Sequence, residues 1–259
     1  MELKGRVALV TGASSGIGRG AAERLALEGA TVGLLGRTPD ELDAVRDAIQ
    51  GHGGTATILV ADVSDADAMK KAVDQLVGEH GRLDIVVANA GVNGVWAPVD
   101  ELTPEEWDKT FAINLRGTYL TLHYAVPAMK ANGGSIVIVS SINGTRTFSN
   151  PGTSAYASTK AGQLALGQVT ALELAKHRIR VNVVCPGAIA TSIDENTEKR
   201  NTEEAAVPVE YPQGQVPLTG GEPGTIREVA ELILFLASDR SRHISGTPIW
   251  IDGAQSLLV

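Results

Sequence analysis

The sequence predicts an α/β fold in which seven parallel strands form one doubly wound sheet with helices on both faces. Short β-branched runs alternate with longer helical patterns, as βαβ units require. A glycine-rich turn stands directly after the first of these runs. The 259 residues are 43% hydrophobic and include 29 glycines, which suits a chain that buries a substantial core.

The expected strands are Val7 to Thr11, Thr31 to Leu35, Thr55 to Val60, Ile85 to Asn89, Gly134 to Ser140, Arg180 to Cys185 and Pro248 to Asp252. The helices between them carry their own start signals. Thr38-Pro39-Asp40-Glu41 and Thr103-Pro104-Glu105-Glu106 each offer a capping Thr, Pro at the first helical position and Glu at the third; Ser64-Asp65-Ala66-Asp67 is a weaker version. No internal repeat, low-complexity tract or linker divides the chain, so one domain over 1–259 is expected. Ser192 to Gly224, rich in Glu, Thr, Pro and Gly, breaks the pattern and is expected to leave the sheet as a lid.

Composition also excludes. A net charge of -8 without a Lys/Arg block makes nucleic acid and an anionic membrane surface poor partners. The charged stretch Met1 to Arg6 leaves no room for a signal peptide's apolar core, and no apolar run is long enough to span a bilayer. The single cysteine, Cys185, cannot form an intrachain disulfide, which is compatible with the cytoplasm as the default location. His52, His80, His123, His177 and His243 show no metal-binding grouping, and no metal is expected.

Thr11-Gly12-Ala13-Ser14-Ser15-Gly16-Ile17-Gly18 opens a helix expected to run to about Glu28 and stop at Gly29. Glycines let the backbone approach a pyrophosphate, while a helix N-terminus offers free N–H groups and a positive dipole end. The spacing differs from G-x-G-x-x-G. Gly12-Ala13-Ser14-Ser15-Gly16 also fits G-x-S-x-G, the nucleophile elbow of serine hydrolases, with Ser14 as nucleophile. That fold builds several strands before its elbow, whereas one precedes it here.

Tyr156 and Lys160 are four apart on a helix expected to follow the loop Pro151 to Ala155 and run through about Lys176, so they share one face. A free tyrosine titrates near about 10, and a neighbouring cation favours its phenolate. Tyr156 could then pass a proton to a carbonyl oxygen. The pair taken alone fits a surface tyrosine with an incidental lysine equally well.

With these motifs in order, the whole chain resembles the short-chain dehydrogenase/reductase family. The matching pieces are Thr11-Gly12-x-x-x-Gly16-x-Gly18, Asp62-Val63, Asn89-Ala90-Gly91, Asn114, Ser141, Tyr156-x-x-x-Lys160, Pro186-Gly187 with Thr191, and Ile251-Asp252-Gly253. The resemblance implies a Rossmann-type domain and hydride transfer between a nicotinamide cofactor and a small carbonyl or alcohol substrate. Tyr156 would be the general acid in reduction and the base in oxidation. Lys160 would hold the nicotinamide ribose and tune Tyr156, Ser141 would polarise the substrate oxygen, and Asn114 would anchor a water that relays protons through Lys160. Among cofactor contacts, the resemblance implies Gly12, Ser14, Ser15, Gly16, Ile17 and Gly18 around the phosphates, Asp62 and Val63 at the adenine, and Asn89, Ala90 and Gly91 along the ribose side. Pro186, Gly187, Ile189 and Thr191 would meet the carboxamide and phosphates. Asn114 equally fits a helix-kink lock, and Asn89-Ala90-Gly91 a strand end that needs small residues.

Ser141 lies 15 residues before Tyr156, about two more than the resemblance implies, as loops tolerate insertion. Ser140 and Ser141 face opposite ways, and Ser141 fits the role better because Ile142-Asn143-Gly144 follows it. The extra residues, within Thr145 to Gly152, are expected to reshape the substrate wall through Arg146 and Phe148. At the end of the second strand, where NAD sites carry an acid for the ribose 2′-hydroxyl, stands Gly36, followed by Arg37. A guanidinium suits a 2′-phosphate, so NADP(H) is the expected cofactor, with NAD(H) the alternative.

Trp96, Trp107 and Trp250 are expected to pack, with Trp96 also able to line the substrate side. In the lid, Ile193, Val207, Val209 and Tyr211 offer apolar contacts. The helical patterns Glu105 to Lys130 and Ala155 to Lys176 carry small apolar faces; in the family such helices pair across a two-fold axis, which implies a homotetramer or homodimer. The expected activity is carbonyl reduction of the ketoacyl-thioester or general type. The alternatives are an NAD(H)-using sugar or alcohol dehydrogenase, and a noncatalytic NADP(H)-binding regulator.

Overall fold

A computed structural model of the chain describes residues 1–193, 197–207 and 214–258. Seven parallel strands form its main sheet: β1 (Val7–Thr11), β2 (Thr31–Gly36), β3 (Thr55–Val60), β4 (Ile85–Ala88), β6 (Gly134–Val139), β7 (Ile179–Pro186) and β9 (Pro248–Ile251). Their order is β3-β2-β1-β4-β6-β7-β9. The helices are α1 (Gly16–Leu27), α2 (Pro39–Gly51), α3 (Ala66–His80), α4 (Pro104–Phe111), α5 (Gly117–Met129), α6 (Ser154–Ala175) and α7 (Ile226–Ala237). The α/β fold and all seven strands match the expectation from sequence. β4 ends one residue early because the Asn89 amide N–H turns aside to the Thr11 hydroxyl.

Both faces of the sheet are buried, which is why its strands read as continuous apolar runs. Successive side chains alternate: Leu9 joins Met69, Leu122 and Ala171 in one core layer, while Val10 joins Leu25, Val45 and Ile233 in the other. Each large aliphatic side chain so buried contributes about 1.5–3 kcal/mol.

The capping signals meet different fates. At α4 the full box forms: Glu106 N–H donates to Thr103 Oγ1 at 3.3 Å, and Thr103 N–H to Glu106 Oε2 at 2.9 Å. Thr38 makes no side-chain cap bond on α2, so that expectation is corrected; Pro39 and the acids Asp40 and Glu41 shape its first turn. At α3 the cap is Asp65, whose Oδ1 accepts from Asp67 and Ala68 N–H groups, whereas Ser64 bonds back to Asp62. A further box, Thr225 with Glu228, opens α7.

The long helical pattern after Thr103 is broken. Between α4 and α5, Ala112–Arg116 winds as a π-helical turn, a feature that concentrates at functional sites, and Asn114 lies in it.

Chain order runs outward in both directions from β1 and β4, so the strand ends there leave a crevice at the topological switch point. Both the glycine turn and Asn89-Ala90-Gly91 open into it. After β7 the chain leaves the sheet and returns at Gly224, where Ala190 N–H donates to the Gly224 carbonyl and Gly224 N–H to the Ala188 carbonyl, each at 2.9 Å. Between these points a two-residue strand, β8 (Glu198–Lys199), pairs in parallel with β5 (Val95–Trp96), forming a small second sheet that the sequence did not announce. Among the described residues no helix is long and apolar enough to cross a membrane.

Candidate active site

The glycine turn is held open by its neighbours. Gly12 and Gly16 sit at φ 65° and 53°, which costs a glycine little. A Cβ on Gly18 would run into the Gly12 carbonyl oxygen and Asn89 Nδ2, so only glycine lets α1 start this close. Asn89 Nδ2 donates to the Thr11 carbonyl at 3.0 Å and the Gly12 carbonyl at 3.3 Å, and Thr11 Oγ1 accepts from the N–H groups of Asn89 and Ala90. The Asn89 carboxamide therefore ties down the turn from the end of β4. At the start of α1 the Ser15 side chain makes no cap bond and the first turn has no acid, so among the described residues no side chain caps the N-terminal N–H groups of Gly16, Ile17 and Gly18. Thr191 flanks this cradle, its Cγ2 lying 3.7 Å from where a Cβ on Gly16 would stand. Open amides, a dipole end and the space left by missing side chains fit a dinucleotide pyrophosphate.

At the far end of the cradle, Asp62 Oδ1 accepts from Ser64 N–H at 2.8 Å and Ser64 Oγ at 2.7 Å. Burial raises its carboxyl pKa, but the Ser64 bonds and the Arg37 charge outweigh that and hold it below the usual value. Arg37 Nη1 is 3.9 Å from Asp62 Oδ2, and the arginine side chain is 68% exposed. A Cβ on Gly36 would lie 3.1 Å from Leu42 Cδ2, so the position that carries an acid in NAD sites is crowded. Val63 is buried against Gly117 of α5, so its side chain belongs to the core rather than to an adenine pocket.

Tyr156, Thr159, Lys160 and Gln163 form a buried stripe on α6. Lys160 Nζ lies 5.5 Å from the Tyr156 ring centroid and donates to the Val139 carbonyl at 3.1 Å. Burial pushes the Lys160 ammonium down to about 8. Ser140 Oγ donates to the Lys160 carbonyl at 2.8 Å, facing away from its neighbour as strand alternation requires. Ser141 Oγ accepts from Asn143 N–H at 3.1 Å, which leaves its own proton available. The Asn114 side chain is fully buried; Oδ1 accepts from Val92 N–H at 2.8 Å, and Nδ2 donates to the Val92 carbonyl at 2.9 Å and Thr159 Oγ1 at 3.1 Å. A Cβ on Gly91 would stand 3.2 Å from Asn114 Oδ1 and 3.5 Å from Lys160 Nζ, so glycine keeps the gap between them open.

The remaining walls differ from expectation in part. The Trp96 ring lies 6.5 Å from that of Tyr156, on the substrate side. Lys199 Nζ sits 5.2 Å from the Trp96 ring centroid. Arg200 fastens the segment after Thr191: its guanidinium meets Glu106 at 3.0 and 2.8 Å and the Glu101 carbonyl at 2.7 Å. Arg200 and the Thr103 N–H together hold the Glu106 carboxyl at about 2. In the longer loop, Arg146 stacks 3.5 Å from the Trp250 ring centroid, and Phe148, 74% exposed, rims a cavity of about 520 Å³ beside Ala157 and Ala161. Trp107 packs on Phe111 with ring centroids 4.6 Å apart. Ile193 and Val207 are exposed, and Val209 and Tyr211 lie outside the described residues.

A serine-hydrolase triad finds no support. His52, His80, His177 and His243 lie at the links that lead into strands, the opposite end of the sheet from Ser14, and His123 lies within α5 against Tyr119. Among the described residues no cluster of metal-ligating side chains forms. Thr159 and Gln163 were not foreseen, although Tyr156, Lys160 and Gln163 follow the i, i+4, i+7 spacing of one helical face.

Known proteins share this arrangement. The family profile described as Enoyl-(Acyl carrier protein) reductase matches residues 12–254. A 3-oxoacyl-[acyl-carrier-protein] reductase of Thermotoga maritima is 39% identical over 254 residues, 98% of either chain. The crystal structure of a 3-ketoacyl-ACP reductase from Sinorhizobium meliloti 1021 is 62% identical with a TM-score of 0.95, covering 98% of this chain and 100% of that one. Carveol dehydrogenase from Mycobacterium avium, solved in complex with NAD, is 32% identical with a TM-score of 0.86 and 99% of each chain covered. The fold and site thus define a nicotinamide-linked oxidoreductase acting on CH–OH/C=O groups. The chain belongs to the short-chain dehydrogenase/reductase family.

Two predictions follow from the geometry. Lys160 titrates at about 8 when folded and 10.5 when unfolded, so between those values the unfolded state binds more protons and stability rises with pH. Below about 8 the burial penalty is fully present. In urea titrations of ligand-free protein, Lys160→Met should gain on the wild type at neutral pH by on the order of 1–3 kcal/mol relative to its standing near pH 10. A difference that does not change with pH would contradict this. Arg200→Ala should leave the unfolding midpoint nearly unchanged, since the ion pair it removes is at the surface. It should speed amide hydrogen exchange over 198–202 by about tenfold or more.

Proposed function

We propose that the chain is an NADP(H)-dependent carbonyl reductase in which Tyr156 gives a proton to the substrate oxygen during reduction and takes it back in oxidation. The observation that carries this is the buried Lys160 ammonium one helical turn from Tyr156, beside the crevice into which the glycine cradle opens. When bound, the nicotinamide supplies the hydride. The chain's own groups position and protonate. Lys160 favours the Tyr156 phenolate and holds the nicotinamide ribose, while Ser141 donates its free proton to the substrate oxygen. Asn114 anchors the water through which Lys160 recovers a proton from solvent. The cradle of Gly12 to Gly18, with Asp62, Ala90, Gly91, Pro186, Gly187, Ile189 and Thr191, holds the rest of the cofactor.

Arg37 supports NADP(H) over NAD(H), being an exposed guanidinium, paired only at 3.9 Å with Asp62, beside a strand end that has no acid. The likeness to two ketoacyl reductases supports a ketoacyl thioester as substrate. The described stretches 197–207 and 214–224 belong in this reading to the lid over it, the residues between lying outside the described ones. Exposed Tyr119, Val169 and Leu172 give α5 and α6 apolar outer faces that fit a second copy of the chain, in keeping with a homotetramer or homodimer. A cytoplasmic setting belongs to the same reading.

Tyr156→Phe should bind NADPH with unchanged affinity yet lose turnover on a ketoacyl thioester by about 10²-fold or more. Retained turnover would sink the mechanism. Arg37→Asp should lower the ratio of kcat/KM with NADPH to that with NADH by about tenfold or more. An unchanged ratio would assign cofactor choice elsewhere. Tight NADPH binding with no oxidation across a carbonyl panel would favour a regulator.

A further inference from the structure

Gln163 is wholly buried, and one of its atoms lacks a partner. Its Nε2 donates to the Asn114 carbonyl at 2.9 Å and to Thr118 Oγ1 at 2.8 Å, while Oε1, shut away from solvent, accepts no hydrogen bond from the described residues. Swapping the two ends of the amide would not help, because the Asn114 carbonyl accepts only and needs the nitrogen facing it. A buried amide oxygen left without a partner costs about 1–3 kcal/mol, and buried waters characteristically fill such places.

The arrangement changes what Asn114 can offer. Its main-chain oxygen takes both Gln163 Nε2 and Thr118 Oγ1, the latter at 2.7 Å, which engages both lone pairs. Both hydrogens of its Nδ2 are used on Val92 and Thr159, and one lone pair of Oδ1 is used on Val92 N–H. The second lone pair of Oδ1 is what remains, and Oδ1 borders the gap over Gly91 that leads to Lys160 Nζ.

We propose that Gln163 is a positioning residue of the proton route. By saturating the Asn114 carbonyl it leaves Asn114 Oδ1, above Gly91, as the atom that holds the water serving Lys160, and its own Oε1 holds a second, buried water between α5 and α6. The proton that Tyr156 gives to the substrate oxygen is replaced by way of Lys160, which regains one from the water at Oδ1; no other bond changes. This rests on the reductase reading above.

The test pairs Gln163→Met with Gln163→Glu in the NADPH-dependent reaction. Gln163→Met frees the Asn114 carbonyl and should lower kcat by about tenfold with KM for substrate and cofactor unchanged, and should displace the pH dependence of kcat. Gln163→Glu should work near the wild-type rate at low pH, where its neutral acid donates to the Asn114 carbonyl, and lose activity as the acid ionises, a limb that the wild type lacks. A purely structural glutamine would lower the unfolding midpoint of the Met variant and move neither profile. Variants that fold and keep kcat and its pH profile within about twofold of wild type overturn the positioning role. A high-resolution crystal structure of the wild type gives a readout independent of turnover. It should show an ordered water on Gln163 Oε1, and its absence would overturn that part. Wild-type protein that shows this water but no NADPH-linked reduction would refute the reductase reading and leave the buried water standing.

Discussion

The carboxamide of Asn114 joins three pieces of chain that are distant in sequence: Val92 beyond β4, the π-helical turn that carries Asn114 itself, and Thr159 of α6. All its bonds are made without access to solvent, so removing the group would strand several buried donors and acceptors at once. Asn89 does comparable work two residues before Gly91, fixing the glycine turn of β1 to the end of β4. The stretch from Asn89 to Val92 is thus a short bar, clamped to the cofactor cradle at one end and to the proton-handling residues at the other. Its small residues at Ala90 and Gly91 follow from that crowding, since Gly12 approaches Ala90 and Lys160 approaches Gly91.

What the sequence made legible is what local rules govern. The seven strands were readable because the central ones are buried on both faces and so lie as short apolar runs between helical patterns, while the edge strands β3 and β9 keep the β-branched runs though they are less buried. Tyr156 and Lys160 were readable because helical spacing places them on one face, and the Thr103 box because it is complete within four residues. The features that escaped are made by residues far apart in the chain. Arg200 reaches Glu106 across 94 positions, and β8 pairs with β5 across a comparable span; neither has a periodic signature. The stacking of Arg146 on Trp250, whose indole donates to the Thr145 hydroxyl, likewise joins residues about a hundred positions apart. The hold of Asn89 on the glycine turn escaped for a similar reason, its amide being needed by backbone carbonyls that no motif displays. Gln163 is the intermediate case: its place on the Tyr156 face was visible, but its bond to the Asn114 carbonyl depends on the π-turn.

Lys160 shows how function and stability pull apart at this site. An ammonium this deeply buried, with the Val139 carbonyl as its hydrogen-bond partner among the described residues, is a poor choice for stability. The surrounding sheet and helices supply enough apolar burial to tolerate it, and the strain is confined to one side chain whose charge the chemistry uses.

Among the described residues, the segment that departs after β7 meets the rest of the protein through contacts that include Thr197 on Asn93, β8 on β5, Arg200 on Glu106 and Glu101, Asn201 on Glu101, and Leu218 N–H on the Gly253 carbonyl. Its two ends are held together independently of these, by the paired backbone bonds between Ala188, Ala190 and Gly224. Such a stapled neck means that the entropy of closing the loop depends only weakly on what is strung between its ends, since doubling a loop adds about 0.6 kcal/mol. The neck thus lets the sheet, the glycine turn and the α6 stripe fold with little dependence on how much chain is strung between Ala190 and Gly224.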